Sequence, residues 1–204
     1  MPRVLTEEAV GEFRERLIDA AERLFAQKGL EAVTLRQLAA EVGVSPMTPY
    51  RYFADKTAIL AAVRARAFNR HAEALEAAWS AHQGDPIAAS NAVGQAYVDF
   101  AFAHPEAYKL MFDLSQPDET DYPELMAAAD RSRRTMTQHL EGLAAAGVFQ
   151  GDPGLVGHMY WAALHGAIML AFSGKLQHAY NARRLIPALT EALGRGVFAT
   201  DSKS

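Results

Sequence analysis

The chain has 204 residues, half of them hydrophobic, with no cysteine and a formal net charge of −4. That is enough apolar material for a full core, and a small domain followed by a larger one is the arrangement we expect. The lack of cysteine excludes disulfides, thiolate zinc sites and cysteine nucleophiles; the opening MPRVLTEEAV lacks the apolar run of a secretion signal, and no window is expected to approach the ~18 apolar residues of a membrane span, so a cytoplasmic protein is expected.

The charge is unevenly divided. Residues 1–70 carry 11 Lys+Arg against 9 Asp+Glu, whereas residues 71–204 carry 9 against 15. A weakly basic first part can face phosphate while the acidic remainder stays clear of it. The excess is small, so specific contacts must supply much of any affinity for nucleic acid.

Residues 1–6 show no pattern and are expected to form a frayed arm, in which Arg3 is the one side chain suited to a minor groove. From 7 to 28, Val10, Phe13, Leu17, Ala21, Leu24 and Phe25 recur at helical spacing, with acids early, Lys28 late and Gly29 as terminator. Thr34 followed three residues later by Gln37 makes a capping box for a second helix. Leu35, Leu38, Ala39 and Val42 give it an apolar face, while Arg36, Gln37 and Glu41 stay in water. Gly43 suits the left-handed residue that ends a helix, and the chain turns within about four residues, as a helix-turn-helix does.

Ser45 is then placed to cap a further helix with Pro46 at its first position. Pro49, four residues past that cap, removes a backbone hydrogen bond and pushes Thr48 away from helical ψ, so the alternative is a helix starting at Thr48 with Pro49 as its first residue. In both versions Pro46, Met47 and Thr48 lie at the N-terminal end, the end that meets base edges in such motifs. Asp55 can cap a long helix from Lys56 towards His82, with Ile59, Leu60, Val63 and Ala67 buried, spanning about 40 Å and bridging the domains.

HQGDP, at 82–86, is a break, and Asp85–Pro86 restarts a helix through Val93, Tyr97 and Phe100. His104 and Pro105 interrupt again before a short helix at 105–114 with Tyr108, Leu110, Met111 and Phe112. SQPDETDYP reads as a polar, mobile loop. Residues 124–146 form a helix with Leu125, Ala129, Ser132, Met136, Leu140 and Leu143, ended by Gly147. Asp152 and Pro153 begin another, to about 175, whose small residues (Gly157, Ala162, Ala163, Gly166, Ala167, Ala171) admit a close partner. Asn181 caps the last, with Leu185, Ile186, Leu189 and Leu193, and Pro187 should bend it. A disordered tail is expected from Thr200. With no alternating strand pattern and no fixed repeat, the fold class is all-α.

The pattern G-V-S-x-x-T-x-Y-x-x-F-x-x-K at 43–56 resembles the DNA-binding signature of TetR-family transcriptional regulators, which usually carry an aliphatic residue where Pro49 stands. HPEAYKLMF at 104–112 and WAALHG at 161–166 resemble the WHG-type C-terminal domain of a subset of that family. The resemblance implies an N-terminal three-helix DNA-binding domain at 7–70, with its helix-turn-helix at 34–53. A long helix links it to a larger helical ligand-binding and dimerisation domain at 71–199, before a tail at 200–204.

On that reading Thr48 and Arg51 reach base edges and Pro46 and Met47 touch thymine methyls, while Thr34, Arg36, Tyr50, Tyr52 and Lys56 hold phosphates and Phe53 belongs to the core. The bland alternative is a structural helical hairpin. Tyr97, Phe100, Tyr108, Met111, Phe112, Trp161, His165 and Met169 are candidates for an apolar ligand pocket, against the alternative of ordinary core. His158 and His165 share a helix, but no Glu, Asp or Cys completes a metal set, so neither metal nor cofactor is expected. No nucleophile with a base, Gly-rich phosphate loop or paired acids argues for an enzyme. Reading DNA with one helix per subunit calls for a twofold pair on a near-palindromic operator, and Leu185, Ile186, Leu189 and Leu193 are the candidate homodimer contacts. The expected function is a ligand-responsive repressor released by a small apolar or amphipathic molecule. The alternatives are an activator, or a small-molecule-binding or enzymatic helical protein whose motif is structural.

Overall fold

The computed structural model describes residues 6–82, 84–112 and 118–197. Among them the chain forms α1 (Glu7–Lys28), α2 (Leu35–Glu41), α3 (Lys56–Ser80), α4 (Pro86–Ala103), α5 (Pro105–Met111), α6 (Pro123–Ala145), α7 (Pro153–Phe172) and α8 (Ala182–Val197), with single 3₁₀ turns at Pro49–Arg51, Glu119–Asp121 and His178–Tyr180 and no strand. Residues 1–5 of the expected arm, the tail from Thr200 and the first part of the SQPDETDYP loop lie outside the described residues, while Thr6, expected in the arm, is the N-cap of α1.

The starts follow from capping. Thr6 accepts from the Ala9 amide, Asp55 from Ala58, Asp85 from Ile87 and Ala88, Asp152 from Gly154 and Asn181 from Arg184, each taking an amide that the helix itself cannot satisfy. α7 ends at Phe172, three residues short of the expected 175. Gly174, at φ +64, turns the chain there.

The contacts divide the chain into two compact units. One joins the residues up to Asn69 with Glu106–Ala129; the other joins Arg70–Pro105 with the residues from Asp130 onward. Where the sequence predicts a linear division after residue 70, the contacts group 106–129 with the N-terminal part. A buried arginine ties the two segments of the first unit together. Arg64, on α3, donates to the Met111 carbonyl at 3.2 Å and pairs with Glu119 at 3.2 Å. Phe112 adds an edge contact to Phe68 at 5.9 Å, and Leu110 packs on the N-terminal core.

That core is built from Leu17, Leu24 and Phe25 of α1, Val33, Leu38 of α2, Phe53, and Ile59 and Val63 of α3. Arg66, which is largely covered, gathers three acids of α1, pairing with Glu15 at 2.6 Å, with Asp19, and with Glu22 at 3.6 Å. In the second unit, Leu140, Leu143, Phe149 and Val156 form a core with Val148, Tyr160 and Val197 against it. There Arg131 of α6 makes a forked contact to Glu76 of α3, at 2.9 and 2.6 Å. The ion pair holds the Glu76 carboxyl below its usual range.

One expectation is overturned. α7 has 20 residues with mean hydropathy 1.4 over its richest 18, long and apolar enough to cross a membrane by length and composition, although only 28% of that window is buried. Its Gly and Ala residues add to the apolar run, and His158 and His165 carry no formal charge that would interrupt it.

Candidate nucleic-acid interface and effector cavity

The helix-turn-helix is built around two capped ends. The Thr34 hydroxyl accepts from the Gln37 amide at 3.3 Å while the Gln37 side chain accepts from the Thr34 amide at 2.8 Å, closing the expected capping box. At the other end Gly43 sits at φ +73, where a Cβ would be strained. Its amide donates to Ala40 and the Val44 amide to Ala39, which satisfies two orphan carbonyls of α2. Arg16 of α1 takes a third, donating to the Val42 carbonyl at 3.1 Å.

The element after the turn is not the α-helix expected from Ser45. Thr48 donates back to the Ser45 carbonyl across a turn, and the regular stretch is a 3₁₀ turn, Pro49–Arg51, with Pro49 at its first position. The reason is chemical. A helix begun at Pro46 would draw its first full hydrogen bond from the residue-49 amide to the Ser45 carbonyl, and proline has no N–H to give. The Ser45 hydroxyl therefore does not cap a helix but meets the Thr48 hydroxyl at 2.9 Å. The start corresponds to the alternative at Thr48, with one difference: Thr48 keeps αR angles, φ −64 and ψ −42, despite the proline after it. Pro49 itself is buried.

This geometry presents a small exposed set. Met47 is 69% exposed and Tyr50 50%, with Pro46 and Arg51 also in solvent and Thr48 half-buried. Thr34 and Arg36 are exposed beside them in sequence, and among the described residues neither Arg36 nor Arg51 forms an ion pair. Two of the residues assigned to phosphate have other engagements. The Tyr52 ring is half-buried on Phe13, with centroids 4.4 Å apart, and its carbonyl accepts from Arg14 at 3.0 Å. Lys56 donates its ammonium to the Leu30 carbonyl at 3.0 Å, tying the start of α3 to the end of α1. Phe53 is buried in the core as expected, under the Arg14 guanidinium at 4.4 Å.

The second unit holds a cavity of about 670 Å³ that opens to solvent. Val93 and Tyr97 of α4, Met136, His139, Leu140 and Leu143 of α6, Gly157, Tyr160, Trp161 and Leu164 of α7, and Ile186 and Thr190 of α8 line it. Of the eight residues predicted for a pocket, Tyr97 and Trp161 are in its wall. Phe100 is buried against His71 and His104 instead, each at 5.1 Å. Tyr108, Met111 and Phe112 belong to the first unit, where Tyr108 and Met111 are buried core and Phe112 lies half-buried against Phe68 of α3. His165 and Met169 lie half-buried on α7 outside the wall. The wall uses Gly157, Tyr160, Trp161 and Leu164 of that helix. Burial lowers the His165 pKa.

Two histidines escaped the sequence prediction. His139 lines the cavity, and its Nδ1 donates to the Thr135 carbonyl at 3.2 Å; burial holds its pKa below the ordinary value despite that bond. Its place three residues from Met136 and four from Leu143, on the apolar side of α6, was the available signal. His71 is buried on α3, with Nδ1 2.9 Å from the Ser132 hydroxyl and its ring edge-on to Tyr97 at 5.2 Å. Desolvation lowers its pKa to about 4. Spacing did mark it: His71 continues the buried series Val63, Ala67 and Leu75 at four-residue intervals on α3, and only its polar side chain argued for solvent.

Comparison with known proteins settles the family. The sequence model of bacterial regulatory proteins of the tetR family matches residues 17–63, and that of the tetracyclin repressor-like C-terminal domain matches residues 90–193, half of the chain. The chain belongs to the TetR family.

Among solved structures, this TetR-family chain is similar to a protein with unknown function from Rhodococcus sp. RHA1, at 30% identity and a TM-score of 0.79, covering 91% of this chain and 95% of that one. Among curated proteins it is 39% identical over 66 residues to the HTH-type transcriptional repressor KstR of Rhodococcus jostii (strain RHA1), covering 32% of this chain and 31% of KstR. It is 41% identical over 51 residues to YerO of Bacillus subtilis (strain 168), an uncharacterized HTH-type transcriptional regulator, covering 25% of this chain and 18% of YerO. The chain thus spans less than a third of either curated relative. Family membership makes this TetR-family protein a DNA-binding transcriptional regulator rather than an enzyme.

Proposed function

We propose that this regulator is a cytoplasmic homodimeric repressor that occupies a near-palindromic operator and leaves it when a small apolar or amphipathic effector fills the cavity of the second unit. The observation that carries the DNA-reading part is the exposed set at the 3₁₀ turn, Pro46, Met47, Tyr50 and Arg51, held directly after a doubly capped α2. Arg51 is the residue we assign to a bidentate base contact, with Thr48, Pro46 and Met47 beside it. Thr34, Arg36 and Tyr50 take phosphates and fix register, while Tyr52 and Lys56 support that surface from within. Residues 7–70 form the DNA-binding domain in this reading, with the motif at 34–53, and residues 71–199 hold ligand and partner.

Support for the dimer comes from α7. Leu155, Met159 and Leu170 are 61%, 40% and 45% exposed, and their spacing of four and eleven residues puts them on one side of the helix. α8 packs along α7, and its Leu185, Leu189 and Leu193 are only half-buried. A second copy laid along this apolar side would cover it. Ile186 faces the cavity wall and so takes the effector side.

Release is a population shift. An effector that fits only a form with misplaced recognition elements must prefer it by about 10⁴-fold to move the equilibrium from mostly bound to mostly free. α3 runs without interruption through residues 69 and 70, where the units divide, and is the element we assign to carry the change.

The test is a reporter fused to the protein's own promoter, in strains with the wild type, Arg51→Ala or no regulator. Repression predicts raised expression in both altered strains, with the Arg51→Ala protein folded and abundant. Lowered expression would make it an activator, and expression unaffected by Arg51→Ala would remove DNA reading from this surface.

A further inference from the structure

We propose that the cavity takes an uncharged amphiphile whose polar end is a hydrogen-bond donor, such as an alcohol or phenol O–H, and that His139 is the residue that accepts from it. The inference deepens the effector reading and rests on it.

The charge of the wall comes first. Among the described lining residues none is Lys or Arg, and the single acid is Glu191, whose carboxylate is paired with Arg195 one turn later on α8. A carboxylate or phosphate ester drawn into an apolar cavity needs a cation to offset the loss of water, and the wall supplies none. That carboxylate is itself largely exposed, so it offers a buried cationic ligand little compensation for lost water. An uncharged molecule carries neither cost.

The donor requirement follows from the tautomer of His139. The Thr135 carbonyl can only accept, so the Nδ1 atom facing it at 3.2 Å bears the hydrogen. In the neutral ring Nε2 then keeps its lone pair, and burial favours the neutral ring. Because Nδ1 is turned back onto its own helix, Nε2 is at the far edge of the ring. Among the described residues nothing donates to it. The Trp79 ring, tilted beside it at 6.4 Å, backs the imidazole. The wall therefore offers a fixed acceptor beside Met136, Leu140 and Leu143 of its own helix, with Ser90, Asn91, Gln95 and Thr190 as the neutral polar groups elsewhere in the lining, and its volume of about 670 Å³ is that of a site for a small organic molecule.

The test uses the purified full-length protein loaded with Nile red, an uncharged dye, and displaces it with one ten-carbon series: 1-decanol, nonyl methyl ether, decanoate and decylamine. The alcohol should displace at the lowest concentration. The ether, which cannot donate, should need about three- to tenfold more, the worth of one net hydrogen bond, and both charged members more still. His139→Phe should bring alcohol and ether together, and His139→Gln, which retains an acceptor, should keep part of the difference. Decanoate or decylamine binding as well as decanol would overturn the charge inference, and equal binding of alcohol and ether to the wild type would overturn the role of His139. If the protein neither holds the dye nor responds to any member, the effector reading itself falls, a result distinct from binding with the wrong preference.

Discussion

His71 sets a measurable dependence of stability on pH. It is 1% exposed, its Nε2 has no hydrogen-bond partner among the described residues, and its pKa is lowered from 6.5 to about 4. A base whose folded pKa is depressed binds its proton more readily in the unfolded chain, so acid favours unfolding. The effect begins as pH falls through 6.5 and is complete below about 4. Within that window the stability should change by up to ~1.4 kcal/mol per pH unit, for a total of about 3 kcal/mol by pH 4. Other carboxylates and histidines titrate too, so the quantity to read is the difference between the wild type and His71→Gln, which does not titrate. Urea midpoints measured at fixed protein concentration from pH 7.5 to 4.5 should diverge, with the wild type losing stability faster. Parallel curves would refute the assignment of a buried neutral imidazole at this position.

Three further outcomes follow from named contacts. Thr34→Ala removes one half of the capping box and should lower stability by about 0.5–2 kcal/mol, read by thermal unfolding. Gly157→Ala should cost about 1–3 kcal/mol, because its Cβ would meet the Thr137 methyl at 2.9 Å and the Met136 carbonyl oxygen at 3.1 Å, and backbone cannot step aside as a side chain can; an unchanged denaturation midpoint would contradict this packing. Lys56→Met and Arg36→Ala should separate support from phosphate contact. The first strands the Leu30 carbonyl and lowers stability by about 1 kcal/mol with an unchanged salt slope, and the second leaves stability alone and lowers the slope of log K against log salt by about 0.9.

What was legible in the sequence was what local chemistry decides. Thr34, Asp55, Asp85, Asp152 and Asn181 each cap the helix predicted from them, and α1 has the predicted bounds, because a capping side chain acts within three residues of itself. The 3₁₀ turn at Pro49 was half legible: the missing N–H was plain, but how many regular turns survive it depends on the core that buries the proline. The cavity was legible only in part because it is a property of four helices at once. Aromatic content correctly pointed to Tyr97 and Trp161, yet Tyr108 and Phe112 have the same composition and serve a different core, to which Arg64 binds their segment across 47 residues of sequence. The spacing of His139 from Met136 and Leu143 put it on the apolar side of α6, but that it lines a cavity shows only once α4 and α7 are placed around it.

The measurement that bears most directly on the regulatory account is anisotropy of the purified protein on DNA from upstream of its own gene, titrated with salt and with competitor DNA. A saturable site bound about 10³-fold or more tighter than random sequence is the predicted result, lost in Arg51→Ala while the protein stays folded. Equally weak binding to every sequence in a genome-wide selection, with Arg51→Ala indistinguishable from the wild type, would contradict it.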